Sequence, residues 1–255
     1  MNSSPILEIC AGSVASALAA EEGGADRVEL CDNLLEGGTT PSYAAIAKAR
    51  ELLHIQLYPI IRPRGGDFLY DDLEFELMWK DIELCKQLGC DGVVIGLLTA
   101  DGRVDKKRTK LLTESAWPLG VTFHRAFDRS ANPFEALEDI IDAGCERILT
   151  SGQCPTAPEG ADLIAELVKK ADDRILIMAG SGVRENNIAA LVQKTKAPEY
   201  HSTAKTITRS NMQFKNKLVM ADEDHELNRS VTDPAIVKQL RANAGQAWKN
   251  LNSKP

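Results

Sequence analysis

The feature that most constrains the fold of this chain is a repeated alternation of short β-rich runs with longer helical patterns. Strands are predicted at residues 6–10, 28–31, 55–62, 91–96, 120–125, 147–150, 174–179 and 199–203. Strands that alternate with helices form parallel sheets built from βαβ units. Eight such units predict an α/β fold of the closed (β/α)8 TIM barrel type, with an open doubly wound sheet as the alternative.

The length of the chain fits one barrel. At 255 residues it has the size typical of this architecture, and no linker-like segment divides it. We therefore predict a single domain over residues 1–249 and a frayed, disordered tail at 250–255. A last helix is predicted at 233–244, and the preceding segment, 206–229, fits no regular pattern.

Composition and charge exclude several classes of function. The chain has 37 acidic and 30 basic residues, whereas a general nucleic-acid-binding protein needs a basic surface. No apolar run approaches the roughly 20 residues that span a membrane, and the N-terminus has no signal-peptide pattern. The six cysteines are dispersed, unlike those of a secreted disulfide scaffold. We expect a cytoplasmic protein with reduced thiols and with no nucleic-acid or membrane partner.

A Glu-aliphatic-Cys pattern occurs at the ends of the first two predicted strands, as Glu8-Ile9-Cys10 and as Glu29-Leu30-Cys31. Side chains two residues apart share a face of a strand, and neighbouring strands lie about 4.8 Å apart. If the register permits, the two thiols can share one ligand, and a pair of thiolates favours Cu(I). Alternatively, both cysteines are small apolar core residues.

Other charged residues also fall near strand ends, where the active sites of such barrels lie. Buried Glu8 and Glu29 need partners, and Arg62 and His124 are the candidates. On the eighth strand, Glu199 and His201 share a face, and the histidine can act as an acid or a base. These residues form either an active site or an ion-pair network that only stabilises the barrel.

The turn after the seventh strand, Gly180-Ser181-Gly182, precedes a helix and is a candidate anion site. Barrels of this type often bind phosphate at the loops after strands seven and eight, so Ser202 can supply the other half. Arg64 lies in the long loop 63–72 and is a further anion-binding candidate. The alternative is that the glycines serve only the turn.

Taken in order, the motifs resemble those of the CutC family of copper homeostasis proteins. The similarity covers residues 6–204 and includes both Glu-aliphatic-Cys segments, the segments 23–31, 37–42, 61–68, 91–96, 121–128 and 149–152, and the turn near Gly180. The resemblance implies a cytoplasmic TIM-type barrel, a homo-oligomer with a dimer favoured, and Cu(I) bound by Cys10 and Cys31. Ser181 departs from the pattern, since glycine is expected there.

Three functional hypotheses follow. The first is a Cu(I)-binding homeostasis protein whose metal ligands are Cys10 and Cys31. The second is an enzyme acting on a small anionic or phosphorylated metabolite. Its catalytic candidates are Glu8, Glu29, Arg62, His124, Glu199 and His201, and its anion-binding candidates are Arg64, Gly180, Ser181, Gly182 and Ser202. The third is a scaffold whose outer helices mediate assembly.

Overall fold

The sheet of this protein is a closed parallel barrel. The computed structural model describes residues 4–214 and 227–253. Its strands are β1 (Ile6–Ala11), β2 (Arg27–Leu30), β3 (Gln56–Pro59), β4 (Gly92–Ile95), β5 (Gly120–Phe123), β6 (Arg147–Thr150), β7 (Leu176–Ala179) and β8 (Glu199–Ser202). They are hydrogen-bonded in the order β3-β2-β1-β8-β7-β6-β5-β4. A parallel bridge between Ile60 and Val94 joins the two ends, and the Ile61 amide donates to the Val94 carbonyl over 2.8 Å. The predicted (β/α)8 TIM barrel is confirmed.

Helices surround the barrel: α1 (Val14–Glu22), α2 (Tyr43–Leu52), α3 (Asp72–Gln87), α4 (Lys106–Ala116), α5 (Pro133–Asp142), α6 (Ala161–Ala171), α7 (Ile188–Thr195) and α8 (Pro234–Asn252). Local sequence explains where several of them begin. Ser13 and Asn132 are the N-caps of α1 and α5, where their side chains accept backbone N–H groups of the first turn. Asp71 and Glu74 form a reciprocal capping box at the start of α3.

The register of the first strands decides which side chains meet inside the barrel. Cys10 pairs with Glu29 between β1 and β2, and Glu8 pairs with His201 between β1 and β8. Because side chains alternate along each strand, these polar residues point into the lumen. The intervening residues, such as Ile9 and Val28, are fully buried between the sheet and the helices.

The C-terminal part of the chain is more regular than predicted. Residues Lys205–Arg209 (β9) and Asn228–Thr232 (β10) form an antiparallel ribbon, which the sequence left without a pattern. The middle of this predicted irregular segment, 215–226, which contains His225, lies outside the described residues. Helix α8 extends to Asn252, beyond the predicted end at residue 244 and into the segment predicted as a tail. Within the described ranges, no helix is long and apolar enough to cross a membrane.

Candidate functional site

Two thiols meet where β1 and β2 end. The Sγ atoms of Cys10 and Cys31 are 3.5 Å apart, and both residues are buried. One oxygen of the Glu29 carboxylate lies within 4.8 Å of both sulfurs. The register of the two strands therefore permits a single ion to contact both thiols, which is the condition that the sequence pattern left open. The donor set of two sulfurs and one oxygen fits a thiophilic metal.

The two thiols differ in their acidity. The hydrogen bond from Cys31 lowers the pKa of Cys10 to about 5, and the same bond raises the pKa of Cys31. Burial raises the pKa of Glu29, and the neighbouring Cys10 thiolate adds to that shift. The pair thus favours one thiolate and one thiol, and a thiolate is the form of cysteine that binds metals.

His201 lies between the thiol pair and the acids Glu8 and Glu29 inside the barrel. Its Nδ1 lies 2.7 Å from Oε1 of Glu8, and its Nε2 lies 3.7 Å from Oε2 of Glu29. Burial opposes a charge on the ring, but hydrogen bonds to Cys10 and Glu8 hold the pKa of His201 well above its usual range. Glu199 and His201 share a face of β8 and are both buried, with Arg27 and Arg147 beside the glutamate and Glu8 beside the histidine.

The prediction that Arg62 and His124 are the partners of the buried Glu8 and Glu29 is wrong, because Glu8 pairs with Arg27 and His201, and Glu29 lies beside His201. Arg27 donates to both Glu8 and Glu199, and Arg147 donates to Glu199 over 2.8 Å. These four side chains are all buried. Against the effect of burial, the Arg27 guanidinium lowers the pKa of Glu8 to about 2.

Sequence reasoning does not select Arg27 or Arg147, because the predicted second strand begins only at Val28 and Arg147 is the first residue of the predicted sixth strand. A signal was available for Arg27, which lies two residues before Glu29 and therefore shares its face of β2. The position of Arg147 opposite Glu199 depends on the curvature of the closed barrel, which no local pattern reports.

A cavity of about 1190 Å³ opens above these layers at the C-terminal ends of the strands. Of the candidate residues, it is lined by Cys10, Glu29, Arg62, His124, Ser181, Gly182, His201 and Ser202. Glu8, Glu199, Gly180, Arg64 and Cys31 are not among the lining residues. The first two lie in the ion-pair network below, so their part in any chemistry at the mouth is indirect.

Arg64 forms ion pairs away from the other candidate anion-binding residues. Its guanidinium pairs with Glu74, at the start of α3, and with Asp67, whose Oδ1 is 3.0 Å from an Arg64 nitrogen. It also donates to the Leu69 carbonyl over 2.8 Å. The side chain thus ties the long loop 63–71 to α3, and the structure does not bring it to the anion candidates.

Arg62 lines the cavity and also organises the loops around it. Its terminal nitrogens donate to the carbonyl oxygens of Glu36, Gly38 and Gly66, at distances of 2.7 to 2.8 Å. The guanidinium also lies over the ring of Phe68, 5.1 Å from its centroid. Phe68 is a residue of the site that sequence reasoning did not select.

His124 occupies the end of β5, where it is fixed as a neutral imidazole. Its Nδ1 accepts the Ala126 amide over 3.1 Å. Burial lowers the pKa of His124 to about 3, and the positive charge of Arg62 contributes to the shift. The ring occupies the space left by the missing side chain of Gly96, where a Cβ atom would overlap it.

The turn after β7 has an unusual backbone. Ser181 has φ +77° and Gly182 has φ +68°, both in the left-handed region that favours glycine. The Ser181 hydroxyl donates to the Pro155 carbonyl over 2.9 Å. Ser202 donates to the Val183 carbonyl over 2.7 Å, which holds the loop after β7 against the end of β8.

Comparison with known proteins identifies the family of this chain. Residues 5–206 match the model of the CutC family. A CutC family protein from Chromobacterium violaceum is 55% identical over 238 residues, which cover 92% of this chain and 96% of that relative. The chain belongs to the CutC family. A CutC family protein from Bacteroides fragilis is 51% identical over 237 residues, covering 91% of this chain and 94% of that one.

A solved CutC structure shares the barrel. The protein from Streptococcus agalactiae, which is named for copper homeostasis, superimposes with a TM-score of 0.75 at 35% identity. The match covers 78% of the present chain and 98% of the S. agalactiae chain. The present chain therefore shares its family and its barrel with a protein named for copper homeostasis.

Proposed function

We propose that this CutC protein binds Cu(I) through Cys10 and Cys31 and serves in copper homeostasis. The observation that carries the proposal is the 3.5 Å separation of the two sulfurs at the floor of an open cavity. Cys10 lines the cavity, so an ion has a route to the pair. Thiolates are soft ligands, and two of them favour Cu(I) over the harder divalent ions.

An anaerobic Cu(I) titration tests the proposal. We expect the wild-type protein to bind about one Cu(I) per chain, and Cys10→Ser and Cys31→Ser each to lose the site, because a hydroxyl is a poor ligand for a soft ion. Cys154→Ser is the matched control, since this free cysteine is not part of the cluster of Cys10, Glu29 and Cys31. Unchanged stoichiometry and affinity in Cys10→Ser/Cys31→Ser would remove the proposal.

We further propose, as a second candidate, an enzyme acting on a small anionic or phosphorylated molecule. The cavity favours it, because about 1190 Å³ is the scale of a metabolite pocket rather than of an ion. Glu29 and His201 would be its acid–base groups. Ser181, Gly182 and Ser202 would contact the anion.

Inorganic phosphate tests this second candidate. At constant ionic strength, we expect a saturable shift of the backbone amide resonances of Ser181 and Gly182, since backbone N–H groups in such turns bind anions. Sodium chloride at the same ionic strength is the control. A phosphate titration that moves these amides no more than chloride does would argue against an anion at the turn.

Two broader properties belong to the same proposal. We propose a cytoplasmic protein, supported by six cysteines that are all free thiols. We also propose a homo-oligomer, with a dimer favoured, on the strength of family resemblance. Light scattering measures this directly: a dimer has twice the chain mass of 27.8 kDa, and a mass equal to one chain contradicts it.

A further inference from the structure

Arg62 carries a buried positive charge without a carboxylate partner. The residue is 3% exposed, and its terminal nitrogens donate to three backbone carbonyl oxygens. Within residues 4–214 and 227–253, no acid lies within ion-pair distance of it. A buried charge is costly unless an opposite charge or a dense set of hydrogen bonds compensates it. The carbonyl dipoles and the Phe68 ring supply part of that compensation, but they are uncharged, so the net positive charge of Arg62 remains.

The same guanidinium has an unused donor. The Nε atom of Arg62 has no hydrogen-bond partner among the described residues, and neither does Nε2 of His124. Because the Nδ1 of His124 accepts the Ala126 amide, the proton of the neutral ring is on Nε2, which is therefore a donor. Both residues line the cavity. Two buried N–H donors at one cavity wall indicate an acceptor that belongs there.

The Phe68 side chain packs against both Arg62 and His124. The Phe68 ring lies 5.1 Å from the Arg62 guanidinium carbon and 5.0 Å from the His124 ring centroid. Phe68 belongs to the long loop after β3, which the Leu98 amide fixes by donating to the Phe68 carbonyl over 2.9 Å. A molecule that reaches the donors must therefore displace this side chain and contact its apolar face.

The hydroxyl of Tyr70 interacts with the Arg62 guanidinium but makes no close hydrogen bond, and it does not line the cavity. A phenol is uncharged at neutral pH, so it does not compensate the guanidinium. The pair of Arg62 and His124 therefore offers one positive charge and two single N–H donors. This combination matches a planar monoanion with two oxygens and an apolar neighbour.

We propose that Arg62 and His124 form a carboxylate-binding subsite, with Arg62 Nε–H and His124 Nε2–H each donating to the carboxylate of a small metabolite. The proposal rests on the second candidate function and names the chemistry of its ligand. It is independent of copper, because neither donor is a thiol or contacts the thiol pair. The turn after β7 would bind any phosphate group of the same molecule.

Sodium acetate is the probe for this subsite. In protein labelled with ¹⁵N-histidine, the Nε2–H resonance of His124 is identified by its loss in His124→Phe. We expect acetate at constant ionic strength and neutral pH to move this resonance downfield and saturably, and chloride to leave it in place. His54→Asn is the matched control, since its imidazole is exposed.

Variants test each donor separately, with the backbone amides of Gly96 and Leu98 as reporters. We expect His124→Phe, which keeps a ring over Gly96, to weaken acetate binding about tenfold or more, because a hydrogen bond to a charged group is lost. Arg62→Lys should weaken it similarly, since lysine has no Nε–H. If Arg62→Lys does not fold, His124→Phe alone decides.

The outcomes distinguish failure of the carboxylate subsite from failure of the second candidate function. Equal responses to acetate and chloride, or undiminished acetate binding in His124→Phe, overturn the carboxylate subsite. If phosphate still moves Ser181 and Gly182 in that sample, the second candidate function stands without the subsite. If neither probe binds, both are overturned. A saturable acetate response that requires His124 supports the subsite whether or not phosphate binds the turn.

Discussion

At the scale of single residues, His124 and His201 show how local contacts set different charge states on the same type of side chain. His124 accepts a backbone amide and faces Arg62, whereas His201 lies between the carboxylates of Glu8 and Glu29. Burial lowers the pKa of His124 from 6.5 to about 3. The two imidazoles therefore differ in function at neutral pH: one is a fixed neutral donor and the other a cation held by acids.

This difference predicts a pH dependence of stability. Between pH 6.5 and about 3, the unfolded chain binds a proton at His124 that the folded protein does not bind. His124 therefore lowers the free energy of unfolding as pH falls through that window, by at most about 1.4 kcal/mol per pH unit. Urea unfolding at pH 6.5, 5.5 and 4.5 should show that wild type loses stability faster than His124→Phe. Parallel pH profiles would contradict the assignment.

At the scale of elements, the strands are joined inside the barrel by buried charges as well as by backbone hydrogen bonds. Arg27 of β2 contacts Glu8 of β1 and Glu199 of β8, and Arg147 of β6 reaches Glu199 from the other side. Removing Arg27 takes a shared cation from Glu8 and Glu199 and leaves these buried acids short of compensating charge, with only His201 and Arg147 beside them. Such uncompensated charge costs more than the ion pair itself contributes.

We therefore expect Arg27→Met to lower the free energy of unfolding by about 3–5 kcal/mol. Arg174→Met is the matched control, because the Arg174–Glu138 pair is exposed and such surface pairs contribute little to stability. Urea denaturation of both variants measures the difference. Similar losses in the two variants would show that the lumen pairs behave like surface pairs.

At the scale of the whole molecule, α8 completes the ring of helices by packing beside α1. Gly23, at the end of α1, makes this approach possible. A Cβ atom there would lie 2.7 Å from Cγ1 of Val237 and 2.8 Å from the carbonyl oxygen of Pro234. The backbone of Gly23 is in the ordinary right-handed region, so the constraint at this position is purely steric.

Gly23→Ala should consequently destabilise the protein by about 1–3 kcal/mol, the usual cost of overpacking. Gly245→Ala tests the same chemistry within α8, where the nearest side-chain atom is 4.0 Å from the added carbon. There we expect a gain of up to about 1 kcal/mol, because alanine is the better helix former. Thermal unfolding compares the two, and a change of the same sign in both would contradict the packing argument.

The sequence by itself determined the order of strands and helices, the caps at Ser13 and Asn132, and the thiol pair. These follow from patterns within a few residues, and a parallel barrel places the ends of its first two strands side by side. Only the tertiary structure decided the partners of the buried acids. Arg147 and Glu199 lie on strands separated along the chain, and the register that brings them together arises when the barrel closes. The cover of Phe68 over Arg62 and His124 likewise depends on how a long loop folds back, for which the sequence has no periodic signal.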